Sequence, residues 1–417
     1  MNKIDFFALW AVPQGFSKIN TQNIYSLKAQ KEFARELSKK ASLPDVSESQ
    51  RHITDLVIGI SGGRINTTAS PFLYTVAGLL SSGDYEQDLL GFTIFSLICL
   101  IFSILILCRV VNFSITSSLL ILILFGTFYV PILSDMQAGN INHIQLLVIT
   151  IYIVCSKSRR PAFDLFSGIV LGTGFVLKPN IFMIFVLGII LTLADKEFKR
   201  FFRVLPGFCL GAVFCISISG IYFGRMSIWE DFLLSLPNTL NMSYPLIHGN
   251  IGLASLIFYL TKTDASFVIF GVIFFAFLAV AWTSERNPGN KEIKTTQEYA
   301  GKSVPVEVFS AAGIGCTIML LSAGLAWAHY YVLLIPLIIF MIRPLDENNN
   351  EDKKLMAVRF IAFTVILLFT SVCSSMVGYT AFHQSILFNT ATVLLLIITL
   401  YELWYQRTKK RDQTDIA

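Results

Sequence analysis

The chain has 417 residues, of which 54% are hydrophobic and only 14% charged, and its mean hydropathy is +0.66. That balance excludes a soluble globular domain and points to an all-α polytopic membrane protein. The net charge of +5 is scattered over loops rather than gathered on one face, so no nucleic-acid partner is expected.

Residues 1–20 lack the apolar core of a signal peptide. Apolar windows near the length a membrane helix needs, roughly 20 residues, then follow one another. They fall near 89–108, 114–133, 142–156, 164–177, 181–194, 204–223, 266–283, 304–323, 331–343, 355–378 and 386–405, about eleven spans in all. Residues 71–81 and 251–260 are apolar but short and read as re-entrant or interfacial pieces. The predicted organisation is an extracytoplasmic loop with a re-entrant segment at 1–88, a transmembrane bundle at 89–405 and a basic tail at 406–417. All seven cysteines lie in apolar segments without CxxC spacing, as packing thiols do.

Basic residues set the orientation. Arg109, Lys157, Arg160, Lys196, Lys199, Arg200, Arg203, the 285–305 loop and the C-terminal tail alternate with loops that hold little beyond Lys178, Arg225 and Lys262. The positive-inside rule places the first set and the C-terminus in the cytoplasm, and residues 1–85 outside. An exported N-terminal segment with no preceding span is anomalous; the expectation is that a first helix is missing.

Between residues 165 and 194 the only charged side chain is Lys178, followed by Pro179 and Asn180. Two short spans joined by a turn at Pro179 fit this stretch better than one long span. A lysine at such a turn either snorkels to mark a helix end or holds an anionic headgroup. The other predicted outside loops gather Asp5; Gln137, Gly139, Asn140, Asn142 and His143; Arg225 to Asn250; and Trp327, His329 and Tyr330. Amides and carboxylates bond sugar hydroxyls, aromatic rings stack on a sugar, and a cation holds a phosphate. Each residue also has a structural reading: Asp5 as a solvated terminal residue, Asn140 and Asn142 as helix caps, and His329 as an interface-belt residue. Gly172 and Gly174 lie within a span and allow close helix packing.

Taken in order, these residues resemble glycosyltransferase family 87, a family of GT-C-type membrane enzymes that includes polyprenyl-phosphate-mannose-dependent mannosyltransferases. The resemblance rests on Asp5 and Phe6 with Trp10, Gly15 and Tyr25; on Ser70 to Tyr74; on Gly139, Asn140 and Asn142, where Asn140 stands for the family's glutamine; on Leu177, Lys178 and Pro179; and on Trp327, His329 and Tyr330. It covers nearly the whole chain, although the charged stretch 28–64 matches nothing in it and the family's first helix is expected to be missing. It implies a GT-C-like bundle and inverting transfer of a mannose-like hexose from a polyprenyl-phosphate donor to a glycan or glycolipid acceptor. The enzyme would sit in a bacterial plasma membrane, among its lipids, with an extracytoplasmic catalytic face. Asp5 is then the candidate base, with His329 as the alternative base or its partner. Lys178 is the candidate phosphate ligand. Asn140, Asn142, Gln137, Trp327, Tyr330 and Asn180 are candidate substrate contacts. No cofactor or metal is expected, because one lysine suits a lipid monophosphate. A transporter or flippase, a ligase or polymerase of lipid-linked precursors, and an inactive paralogue are the alternative readings.

Overall fold

The computed structural model describes residues 3–16, 23–44, 46–158, 160–240, 250–284, 306–344, 350–371 and 380–415. Regular structure among them is helical, apart from two isolated bridges that pair Tyr129 with Ser371 and Asn250 with Trp327. Helices α1 (Ile4–Phe16), α2 (Leu27–Ala41), α3 (Glu48–Ile60) and α4 (Pro71–Leu80) come first. Then come α5 (Tyr85–Val110), α6 (Ile115–Phe128), α7 (Val130–Ala138), α8 (Asn142–Ser158) and α9 (Pro161–Leu177). A 3-10 turn, Pro179–Ile181, leads to α10 (Phe182–Ala194), α11 (Phe198–Tyr222), α12 (Ile228–Leu240), α13 (Leu253–Thr261) and α14 (Ser266–Ala281). Next are α15 (Val306–Ser322), a 3-10 helix Ala328–Leu334, α16 (Ile335–Met341), α17 (Asn350–Phe369) and α18 (Ala381–Asp415).

The charged stretch 28–64 forms an amphipathic pair. Ser26 and Ser47 start α2 and α3 by accepting hydrogen bonds from the Ala29 and Gln50 backbone N–H groups. Ala29, Phe33, Ala34 and Leu37 turn inward, and Phe33 lies so close to Gly15 of α1 that a Cβ there would collide with its ring. Trp10 Nε1 donates to Asp88 Oδ2 at 2.9 Å, and Tyr25 Oη donates to the Ala69 carbonyl at 2.9 Å. With Phe7, Tyr74 and Tyr85 these rings make a core of their own. Trp10, Gly15 and Tyr25 are therefore packing residues, and they fix where α1 presents Asp5.

The larger core centres on α15, which buries fourteen of its 17 residues and packs against α10, α14 and α18. Helices α9 and α11 approach closely because glycines face each other. A Cβ on Gly168 or Gly172 would strike the Val204 or Phe208 carbonyl, and one on Gly207 or Gly211 would strike that of Leu165 or Ile169. The expected role of Gly172 holds, whereas Gly174 faces the side chains of Ile181 and Val148 rather than a helix backbone.

Three helical segments are long and apolar enough to cross a membrane: Tyr85–Val110, Phe198–Tyr222 and Ala381–Thr408. Shorter apolar helices occupy most of the other windows. Large apolar side chains on these helices face outward, among them Phe214, Ile221 and Phe267. Surface of this kind suits lipid and makes this a membrane protein. The expected span at 114–133 is broken. Tyr129 is extended and separates α6 from α7, with the Val130 N–H donating to the Thr370 carbonyl at 3.0 Å and Pro131 in the first turn of α7. The short segments 71–81 and 251–260 are the helices α4 and α13. Five cysteines are buried as expected; Cys209 is exposed on α11. The basic loop 285–305 and Cys373 lie outside the described residues.

Candidate functional site

Four chain breaks bring the site together. Asp5 stands in the first turn of α1. Gly139, at φ +69°, ends α7 in the left-handed region and turns the chain into α8. A Cβ at Gly139 would meet the Cβ of Phe6, so the missing side chain also lets α1 approach this turn. Lys178 is extended between α9 and the Pro179 turn, as the restriction before proline demands. His329 is the second residue of the 3-10 helix that follows Trp327.

Asn140 joins three of the predicted residues. Its Nδ2 donates to Asp5 Oδ2 at 2.7 Å and lies 3.3 Å from His329 Nε2, while its Oδ1 accepts from Lys178 Nζ at 3.0 Å and from the Ile141 N–H at 2.8 Å. The ammonium and the backbone N–H both require an acceptor, so the amide orientation follows from chemistry. His329 Nε2 then faces an amide N–H and serves as an acceptor, a tautomer assigned from this network. His329 Nε2 is 3.8 Å from Asp5 Oδ2. Asn142 Oδ1 also accepts from Lys178 Nζ, at 2.9 Å, and the Lys178 ammonium lies 4.3 Å from the centre of the Tyr330 ring.

Asp135, which the sequence reading passed over, belongs to the same cluster. Its Oδ1 accepts from Asn142 Nδ2 at 2.7 Å, and its Oδ2 is 3.4 Å from His143 Nδ1, which in turn meets Ser96 Oγ at 2.9 Å. Asp135 is the only acidic residue between Asp88 and Asp164, and a lone carboxylate in so apolar a stretch was the available signal. Gln145, one turn beyond Asn142 on α8, was missed too. Its Nε2 donates to Asn180 Oδ1 at 2.6 Å and to the Lys178 carbonyl at 3.4 Å. Ser70 Oγ donates to the Leu177 carbonyl at 3.0 Å, pinning the same turn from α4.

The remaining predicted contacts divide. Asn180 bonds the Gln145 side chain, and no hydrogen bond among the described residues ties it to the ammonium. Trp327 stacks parallel to the His329 ring at 6.5 Å. Gln137 is exposed, and no hydrogen bond among the described residues ties it to the cluster. Arg225 pairs with Asp231, which also accepts from Asn23 Nδ2 at 3.0 Å, so it braces α12 rather than the site.

Burial dominates the electrostatics. It raises Asp5 above the usual carboxylate range, against the pull of the Asn140 hydrogen bond and the Lys178 charge. It raises Asp135 as well, opposed by Asn142 and Lys178. It lowers Lys178, opposed by the negative charges of Asp135 and Asp5. The two carboxylates differ in access: the Asp5 side chain keeps 39% of its surface exposed, and that of Asp135 keeps 0%. The arrangement can accept a proton at an accessible carboxylate and hold an anion at a half-buried ammonium.

Fold and site together define an all-helical membrane protein with a charged, amide-lined cluster where its helices end. Residues 68–296, more than half of the chain, match glycosyltransferase family 87, and the chain belongs to that family. It is accordingly a glycosyltransferase, and the matched segment contains Asp135, Asn140, Asn142 and Lys178. No curated protein and no solved structure matches it.

Proposed function

We propose that this glycosyltransferase moves a mannose-like hexose from a polyprenyl-phosphate donor to a glycan or glycolipid acceptor, with inversion, at the outer face of a bacterial plasma membrane. Asp5 takes the proton of the acceptor hydroxyl as that oxygen bonds the sugar's anomeric carbon. The bond from that carbon to the phosphate oxygen breaks on the opposite side, and its electron pair leaves with the lipid phosphate. Lys178 stabilises the charge that gathers there. Asn140 orients the Asp5 carboxylate, and Asn142 presents the ammonium. His329 is the positioning neighbour of Asp5, because its Nε2 accepts from Asn140 in the resting site. Trp327 and Tyr330 wall the sugar. No metal takes part in this scheme, in which one ammonium meets the charge of a lipid monophosphate.

The observation that carries this reading is the Asn140 amide, which touches the base, the cation and His329 at once. The topology of about eleven spans is supported by the meeting of Asp5, Asn140, Lys178 and His329, all from loops that the basic-residue count puts on one face. The test is an assay of membranes with labelled polyprenyl-phosphate hexose. Asp5→Asn should abolish transfer while leaving the protein in the membrane. Unaltered transfer in that variant would remove Asp5 as the base.

A further inference from the structure

The two carboxylates reach Lys178 by matching routes. Asp5 contacts the Asn140 amide and Asp135 contacts the Asn142 amide, and each amide then turns its oxygen to the same ammonium. The Asn142 orientation is not free. Its Nδ2 lies between Asp135 Oδ1 and the His329 carbonyl, 2.7 and 3.2 Å away, and both can only accept. Yet no carboxylate touches the ammonium directly among the described contacts: its near neighbours are two neutral amide oxygens and an aromatic ring.

We propose that Asp135 is a positioning residue for the transfer reaction, acting through Asn142 to keep Lys178 charged and aimed while Asp5 gives up its own charge. The assignment rests on the reading of Asp5 as base and Lys178 as phosphate ligand. Asp135 is fully buried and cannot meet an acceptor, so any part it plays passes through its neighbours. When Asp5 takes the acceptor proton it becomes neutral, and Lys178 loses one of its two counter-charges at the moment phosphate charge develops. Asp135 is the one that remains. It also locks the Asn142 amide so that the oxygen, not the NH2, faces the ammonium.

The titratable groups around Lys178 among the described residues are Asp5 from α1, Asp135 from α7, and His329 and Tyr330 from the 3-10 helix, with His143 of α8 on the far side of Asp135. Lys3 stands behind Asp135; its ammonium donates to the Met136 carbonyl and lines the same small cavity as Asp135 and Ser96. Removing the Asp135 charge lets Lys178 lose its proton at lower pH. The alkaline limb of the pH–rate profile therefore moves in the acid direction, while the acid limb, set by Asp5, stays in place. With one amide between carboxylate and ammonium and an effective dielectric near 20, the loss of a unit charge gives a shift on the order of one pH unit.

The experiment compares pH–rate profiles of transfer from labelled polyprenyl-phosphate hexose in membranes bearing the full chain. Asp135→Asn is expected to move the alkaline limb down by about one unit, with a loss of roughly tenfold above it and a smaller loss below. Adding Asn142→Asp to that variant returns a carboxylate to the ammonium and should restore the limb. A purely structural role predicts equal loss at every pH and no such rescue, and either result overturns the proposal. Should Asp135→Asn fail to reach the membrane, Asn142→Leu cuts the same bridge, and an unmoved limb there is equally decisive. Transfer that survives Asp5→Asn and Lys178→Ala defeats the underlying reading. Loss in both, with an unmoved limb in Asp135→Asn, defeats the Asp135 assignment alone.

Discussion

Replacing Lys178 by alanine removes an ammonium held by Asn140 Oδ1 at 3.0 Å and Asn142 Oδ1 at 2.9 Å, over the Tyr330 ring. A single preorganised donor at a site of developing charge contributes about 3–4 kcal/mol, a factor of roughly 10³ in rate. The predicted fall in kcat/KM is therefore about 10³. Lys178→Arg should rescue little: the pocket fits a compact ammonium between two amide oxygens, and a planar guanidinium on a longer arm would displace one of them. The assay is transfer of labelled hexose from polyprenyl phosphate in membranes with matched protein levels. A Lys178→Ala enzyme within threefold of the unaltered protein would refute the phosphate role and leave the lysine as a helix-end residue.

Two further outcomes are expected. Transfer should show a bell-shaped pH profile narrower than an ordinary aspartate and lysine would give. Asp5, raised by burial, must be ionised to act, so the rate rises as pH climbs through its elevated pKa; Lys178, lowered by burial, must stay protonated, so the rate falls as pH climbs through its depressed one. A plateau that reaches down to the usual carboxylate range would contradict this. Gly172→Leu should push α9 from α11 against the Phe208 carbonyl and cost about 1–3 kcal/mol of stability. Gly126→Leu, where nothing stands within 4 Å of a Cβ, should leave the thermal midpoint in detergent unchanged. Equal midpoints for the two variants would show that the close packing contributes nothing.

Much of the site was legible before any coordinates because its breaks are written locally. Pro179 stops a helix whatever surrounds it, and a lone lysine in a long apolar run is conspicuous. These features marked Lys178, the polar residues of the predicted outside loops brought in Asp5, Asn140, Asn142 and His329, and the resemblance gave them roles. The same local logic does not rank residues whose roles depend on partners. Gln137 and Asn180 share their loops with members of the cluster, but Gln137 is exposed and Asn180 bonds Gln145.

Chain composition alone therefore determined a helical membrane protein, most of its helices and the polar residues at their ends, since hydropathy and helix breaking act over a few residues. Tertiary structure alone decided which of those polar residues meet. Asp5 and Asn140 are 135 positions apart and Asn140 and His329 are 189 apart, and no periodicity spans such distances. It also decided the break at Tyr129, through pairing with a segment near Ser371, and the place of Asp135. A buried carboxylate is stable only beside donors and a cation that the rest of the fold delivers.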